Sequence, residues 1–222
     1  MSYACRPLFA CALAALPAPA SAQVTEAEAN VLPRIIDMAC VDLLDGHPGC
    51  ETAVLLASET EPDAADLIIF SAAPAPDSQE ILAVARAVAF SGAWMGQMPR
   101  LEAGADGQLL LHEEQIAIGR TPWTQTLTIA NGDTGLVVVG LSYSTYDRPM
   151  GGGFSCVVDY LAGDWALDWD RPDPESGETI HDVSDQGQIE GAPPTLATWA
   201  WDQGLPAPCA CAVNAWFDAS EG

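Results

Sequence analysis

The most constraining feature of the chain is a strict two-residue alternation on both sides of one turn dipeptide. Between residues 123 and 129, larger side chains occupy the odd positions and threonines occupy the even ones. Large side chains return at the odd positions between residues 137 and 143, and Asn131-Gly132 lies between the two segments. Successive side chains of a strand point to opposite faces, and Asn-Gly tolerates positive φ at both positions. The segment 123–145 is therefore predicted to be an antiparallel hairpin that turns at Asn131-Gly132.

Short apolar segments bounded by Pro, Asp and Gly recur along the rest of the chain, as strands do in antiparallel β-proteins. Thr25 and Glu28 fit a capping box, which predicts a helix over 25–44 that Pro33 interrupts. No strand–helix–strand alternation appears, which disfavours a doubly wound nucleotide-binding fold. The sequence predicts one mainly-β domain over 23–222, an antiparallel meander or sandwich with one N-terminal helix. The further predicted strands are 53–56, 67–70, 81–88, 108–112, 155–160, 165–169, 178–183 and 195–201, and the stretch 170–195 is otherwise predicted to be loop.

Residues 1–22 have the three parts of a cleavable secretory signal peptide. Arg6 is the only charge in this segment, an apolar run follows over 8–16, and Ala20-Ser21-Ala22 forms the small-residue cleavage site. The apolar run is shorter than the about 20 residues that a membrane-spanning helix needs. We expect cleavage after Ala22, a periplasmic or secreted protein, and no membrane span in the remainder. A lipid anchor at Cys11 is the alternative, although Phe9 fits its recognition sequence poorly.

The charge of the chain excludes two classes of partner. Its 31 acidic residues face seven basic residues, all of them arginine, and the formal net charge is −24. Such a field repels nucleic acid and anionic lipid. The hydrophobic fraction of 49% argues against a disordered chain despite this charge. The nature of any other partner is not indicated by the sequence.

Five cysteines follow the signal segment, and in an oxidising compartment they are expected to form two disulfides and leave one thiol free. Cys40 and Cys50 flank one turn and are the first expected pair. Cys156 is expected to pair with either Cys209 or Cys211. These two cysteines are too close in sequence to bridge each other without strain.

Carboxylates and tryptophans concentrate in the segment 165–175. Asp168 and Asp170 flank Trp169, and Asp173 and Glu175 follow. Paired carboxylates beside tryptophan suit a secreted hydrolase or a carbohydrate-active domain, whereas the same alternation also describes a sheet with one solvated face. No cofactor is predicted; if calcium binds, the same four acids are its candidate ligands.

Other patterns argue against an enzyme. No Gly-x-Ser-x-Gly motif occurs, and Gly151-Gly152-Gly153 lacks the following lysine of a phosphate-binding loop. Cys209-Ala210-Cys211 has no histidine at metal-ligand spacing, and His112 is expected to be a surface strand residue rather than a base. The leading hypothesis is a non-enzymatic structural or binding role, with the hydrolase as its alternative.

Two stretches in the middle third of the chain resemble a family of exported bacterial proteins that carries no assigned activity. The first is 118–130, with the motif GRTPWTQTLTIA, and the second is 141–147, LSYSTYD. The second continues through the glycines at 151–153, Cys156 and Leu-Ala-Gly at 161–163, and segments 90–92 and 95–97 are also similar. The resemblance implies export and fold, and implies no chemistry.

The segment 42–51 resembles the acidic calcium loop of the FG-GAP/VCBS repeat, which precedes an apolar strand. Here Val54-Leu55-Leu56 follows the loop, as in the repeat. Leu43 and His47 stand where the repeat places acids. The resemblance implies a calcium loop, and these two departures remove two of its ligand positions.

Overall fold

The computed structural model describes residues 25–44, 49–72, 78–92, 97–149, 151–173 and 176–221. The signal segment 1–22 lies outside them. Within the described part, the chain forms eleven strands and two α-helices. The helices are α1 (Glu26–Val31) and α2 (Ala207–Glu221); the strands are β1 (Ile35–Val41), β2 (Glu51–Ala57), β3 (Ala64–Phe70), β4 (Ile81–Phe90), β5 (Arg100–Ala103), β6 (Leu109–Gln115), β7 (Trp123–Gly132), β8 (Gly135–Tyr146), β9 (Gly153–Asp159), β10 (Asp164–Pro172) and β11 (Thr179–Gln188).

The strands form two antiparallel sheets in which neighbours in sequence are neighbours in space. The smaller sheet has the order β1-β2-β3-β4, and the larger has the order β11-β10-β9-β8-β7-β6-β5. Short connections join antiparallel neighbours readily, whereas parallel pairing would need long crossovers. The mainly-β antiparallel fold expected from the sequence is therefore confirmed.

One hydrophobic core joins the two sheets to the C-terminal helix. Leu55 and Ile69 of the smaller sheet belong to the same buried cluster as Leu111 and Leu127 of the larger one, and α2 contributes Trp216. The strand β1 lies beside β5, where the Asp37 carboxylate accepts the Leu101 backbone N–H at 2.7 Å. The core therefore covers one face of the seven-stranded sheet.

The predicted hairpin is present, but its turn lies two residues later than expected. Leu127 pairs with Leu141, and Gly132 pairs with Gly135, so Asp133 and Thr134 form the turn. The positive φ is at Gly135 (106°), as in a type I turn followed by a glycine bulge. A register shift beside Thr128 leaves one extra residue in β8. Asn131 and Gly132 extend β7 instead of forming the turn, and the alternation pattern does not reveal this register or its bulge.

The predicted N-terminal helix is wrong over most of its length. The Thr25–Glu28 capping box is present, but α1 ends at Val31 and a 3₁₀ turn, Leu32–Arg34, follows. The remainder of the segment 25–44 is largely β1, which pairs with β2 and carries Cys40 of a disulfide. Pro33 ends the helical pattern, and strand pairing overrides the helical spacing of the apolar residues beyond it.

The C-terminal predictions also need correction. The expected strand 195–201 consists of 3₁₀ turns at Leu196–Thr198 and Trp201–Gln203, and α2 was not predicted. Pro208 lies in the first turn of α2, where a proline is tolerated. In the stretch 170–195, the predicted strand 178–183 is confirmed as part of β11, but strand extends further than expected, because β10 continues to Pro172 and β11 to Gln188.

Candidate functional site

The two faces of the seven-stranded sheet differ sharply in composition. On β10, Trp165, Leu167 and Trp169 pack towards the core, whereas Asp168 and Asp170 are exposed on the opposite side. This follows from the two-residue period of a strand. The tryptophans and carboxylates of the segment 165–175 therefore do not share one surface.

Rows of polar side chains cross the solvent-facing side of the sheet. One row runs from Glu114 on β6 to Ser184 on β11. Each member of the row is paired directly with the next member on the neighbouring strand. The hydroxyls of Thr124 and Ser144 are 2.8 Å apart, and the Ser184 hydroxyl donates to Asp168 Oδ1. The members of this row are Glu114, Thr124, Ser144, Ser155, Asp168 and Ser184.

Carboxylates dominate the half of this side formed by β9, β10 and β11. Asp170 lies opposite Asp182, and its Oδ1 accepts the Gly153 backbone N–H at 2.8 Å. We call the exposed carboxylates of these strands the acidic face; its members are Asp159, Asp164, Asp168, Asp170 and Asp182.

The acidic face has no neighbouring cation within the described part of the chain. Arg171 follows Asp170 on β10 and so lies on the core side by alternation. Arg100 is on the solvent-facing side, but on β5 at the far edge, where it pairs with Glu102 at 3.1 Å. The charge of the acidic face is therefore uncompensated by arginine.

Two shallow clefts lie over the acidic face. One, of about 450 Å³, is lined by Ser144, Ser155 and the carboxylates Asp168, Asp170 and Asp182 among others. The other, of about 410 Å³, is lined by Asp159, Asp164 and the side chains of Gln186 and Gln188 among others. The first cleft is also lined by Phe154 and Trp169, and the second by Val157, Trp165 and Ala166, so each combines carboxylate oxygens with apolar surface.

The candidate calcium ligands do not converge. Asp168 and Asp170 lie on the acidic face, whereas Asp173 follows β10 and its Oδ1 accepts the Ser176 N–H at 2.8 Å in a local turn. Glu175 lies outside the described residues. Over the described ranges, no three His, Cys, Asp or Glu side chains are placed to share a metal ion.

In the segment 42–51, which resembles the FG-GAP loop, the last acid, Glu51, accepts backbone hydrogen bonds. Glu51 is fully buried, and its Oε2 accepts the N–H groups of Leu43 at 2.7 Å and Leu44 at 3.2 Å. The central residues 45–48, with His47, lie outside the described residues. Glu51 therefore ties the loop to the start of β2.

Residues of the two stretches that resemble exported proteins bind one another. The Arg120 guanidinium pairs with the buried Asp147 carboxylate, with Nε 2.9 Å from Oδ2. The Thr145 hydroxyl donates to the Pro122 carbonyl at 2.8 Å. These contacts fasten the loop before β7 to the end of β8, which is a structural role.

His112 lies on the solvent-facing side at the opposite end of the sheet from the acidic face. Its Nδ1 is 2.9 Å from the Thr126 hydroxyl, and its Nε2 is 3.3 Å from Glu102 Oε2. Burial and the nearby Arg100 lower the pKa of His112, despite the opposing effect of Glu102. It is a half-buried strand residue at a distance from the acidic clefts.

Sequence reasoning missed the buried carboxyl of Glu113. This residue is 3% exposed and accepts hydrogen bonds from the Phe90 backbone N–H and the Gln125 side-chain amide. Burial raises the pKa of Glu113 to about 7. Its position two residues after Leu111, on the core side of β6, is the signal that could have revealed it.

Two disulfides stabilise the fold: the expected Cys40–Cys50 pair is confirmed, and of the two partners expected for Cys156 the structure shows Cys209. Cys40 and Cys50 are bonded with a Cα–Cα distance of 5.5 Å, and Cys156 and Cys209 with 5.8 Å. Cys211 is an exposed free thiol. Because Cys209 is bonded to Cys156, it is not available as a thiolate ligand for copper or zinc.

Two findings concern the helices of the chain and its similarity to other proteins. No helix in the described ranges has the length and hydrophobicity required to cross a membrane. Comparisons with protein-family models, with curated proteins and with solved structures found no match to this chain.

Proposed function

We propose that this chain is a non-enzymatic exported binding protein that holds a cationic partner against the acidic face. The observation that carries the proposal is the set of uncompensated carboxylates on β9, β10 and β11. The field of such a surface attracts positive charge and raises its local concentration.

The placement of Asp170 and Asp182 favours a bound cation. Their positions are directly opposite on neighbouring strands, and like charges in that relation destabilise a sheet. An arginine or lysine side chain placed between them would offset this repulsion. The hydroxyls of Ser144 and Ser155 in the same cleft supply further acceptors for its N–H groups.

The arrangement gives less support to the hydrolase or carbohydrate-active alternative. Trp165 and Trp169 are partly buried against the core, and alternation along β10 places their side chains on the other face from Asp168 and Asp170. The buried acid with a raised pKa, Glu113, lies between the two sheets and away from both clefts over the acidic face. A catalytic pair requires groups that converge on one reacting atom.

Export is supported by the disulfides and by the N-terminal segment. Two disulfides are typical of proteins that fold in an oxidising compartment. Mass spectrometry of protein recovered from the periplasm or medium of its host should give an N-terminus at Gln23. Recovery with Met1 intact contradicts export through a cleaved signal peptide, whereas a diacylglycerol on Cys11 contradicts cleavage after Ala22 and indicates an exported lipoprotein.

The test of binding compares two triple variants with the same change of charge. The face variant carries Asp168→Asn, Asp170→Asn and Asp182→Asn; the control carries Glu61→Gln, Asp106→Asn and Asp202→Asn, all exposed acids outside the acidic face. The probe is a labelled arginine-rich peptide of about ten residues, titrated at physiological ionic strength. We expect about tenfold weaker binding by the face variant, since each exposed ion pair contributes roughly 0.2–1 kcal/mol.

The control variant should bind the peptide within about twofold of the unmodified protein, because its removed charges lie elsewhere. Equal weakening in both variants would reduce the effect to net charge alone and overturn the proposed face. Absence of binding by the unmodified protein would overturn the proposal altogether.

A further inference from the structure

The outer edge of β11 has no strand beside it in the part of the chain that the structure describes. β11 spans ten residues, Thr179–Gln188, and it pairs with β10 alone. Alternate N–H and C=O groups of β11 therefore point away from the sheet without a strand partner.

The opposite edge of the same sheet is protected, which makes β11 unusual within this fold. Strand β5 has four residues, Arg100–Ala103, and lies beside β1. The Leu101 N–H on that edge is satisfied by the Asp37 carboxylate. Short length and a covering neighbour are common means of blunting an edge, and β11 has neither.

β11 contains no lysine and no proline, two residues that keep edges from pairing. Its only edge protection in the described part of the chain comes from charge: Asp185 lies opposite the core-side Leu167, and its Oδ1 accepts the Gln186 backbone N–H at 2.8 Å. The register of β11 with β10 is regular from Asp164 to Arg171, and the one irregularity lies at the end, between Arg171 and Pro172. A long and regular edge of this kind is a template for one more strand.

The negative charge of β11 disfavours pairing with an acidic strand and favours pairing with a basic one. Asp182 and Asp185 are exposed on the strand, and Asp182 belongs to the acidic face. A second copy of β11 would bring like charges together, which destabilises strand pairing. A basic strand would place its cations beside Asp182, Asp170 and Asp168.

We propose that β11 binds a basic peptide segment in extended conformation as an eighth strand of the sheet. This inference rests on the proposed function and adds its geometry. Backbone hydrogen bonds to β11 contribute affinity, and arginine or lysine at every second position of the peptide lies over the acidic face. The partner is thus a segment that alternates basic with small polar residues.

The test uses three peptides of about ten residues in which arginine alternates with threonine. One is unmodified, one is N-methylated at every arginine, and one is N-methylated at every threonine. In a strand, alternate backbone N–H groups point to opposite sides. We expect one N-methylated peptide to bind at least about tenfold more weakly than the unmodified peptide and the other to bind within about threefold.

Amide hydrogen exchange of the protein provides an independent measurement. Saturation with the unmodified peptide should slow exchange over 179–188, and exchange at 101–103 of β5 should not change. Suppose that the unmodified peptide binds, that both N-methylated peptides bind equally well or equally weakly, and that exchange in β11 is not slowed. This result would overturn strand addition but would still support binding of a cationic partner. Failure of all three peptides to bind would overturn both proposals.

Self-association is the remaining outcome. Concentration-dependent dimers of the protein alone, with protection over 179–188, would make a second copy the occupant of the edge and contradict the inference. Sedimentation at several protein concentrations distinguishes this result from peptide binding.

Discussion

Asp170 of β10 and Asp182 of β11 lie directly opposite each other on the acidic face. Two like charges in this relation oppose strand pairing, and no arginine in the described part of the chain lies between them. This pair links the stability of the sheet to the binding role proposed for it.

Removal of one charge from this pair should stabilise the protein. Asp182→Asn is expected to raise the free energy of unfolding by about 0.5 kcal/mol at low salt, because the cross-strand repulsion is lost. Urea denaturation measures the change, and 1 M salt should remove most of it by screening. The matched control is Asp185→Asn on the same strand, whose partner is the apolar Leu167; equal stabilisation by both variants would contradict the pairwise origin.

Glu113 should make stability depend on pH. Its pKa in the folded protein is about 7, above its ordinary value of 4.5, so the folded state binds this proton more tightly than the unfolded state. The stabilising contribution of Glu113 to the free energy of unfolding is full below pH 4.5 and is lost as the pH rises through 7. Between pH 4.5 and 7, the free energy of unfolding of the unmodified protein should fall by about 3 kcal/mol relative to that of Glu113→Gln.

Urea denaturation of both proteins between pH 4 and 8 measures this difference. Glu114→Gln, the neighbouring acid on the solvent-facing side of β6, serves as the control and should follow the unmodified protein. A constant difference between the unmodified protein and Glu113→Gln across the range would show that Glu113 does not titrate there.

The two disulfides should contribute unequally. Cys156 and Cys209 are 53 positions apart, whereas Cys40 and Cys50 are 10 apart. In the chain-entropy description, the longer loop contributes about 4 kcal/mol and the shorter about 3 kcal/mol. Urea denaturation of the double variants Cys156→Ala/Cys209→Ala and Cys40→Ala/Cys50→Ala measures both values, and a greater loss from the shorter loop would contradict this order.

Cys211 should be the one reactive thiol of the chain cut after Ala22. Its side chain is exposed, and the other four cysteines of that chain are in disulfides. Thiol titration without reductant should give one equivalent, and Cys211→Ser should abolish it without a measurable loss of stability. Two or more equivalents in the native protein would contradict the observed pairing.

The sequence by itself determined the class of fold, most of the strands and the Cys40–Cys50 pair, whereas the choice of Cys209 over Cys211 as the partner of Cys156 came from the structure. The alternation over 123–143 has only one structural meaning, because a two-residue period places one set of side chains on each face of a sheet. Cys40 and Cys50 flank one turn, so their proximity is a local property of the chain. The acidity of the surface followed from composition.

Only the tertiary structure decided which side of each strand faces solvent and where the chain departs from its local pattern. The segment 35–41 has helical spacing of apolar residues but pairs with β2, because burial between strands outweighs local propensity. Helix α2 begins between two prolines, Pro206 and Pro208, and is held by burial of Trp216, which is 1% exposed. Asp170 and Asp182 lie side by side because β10 and β11 pair in a particular register. They face solvent because the core lies on the other side of the sheet. Such relations depend on contacts between residues distant in sequence, which local periodicity does not encode.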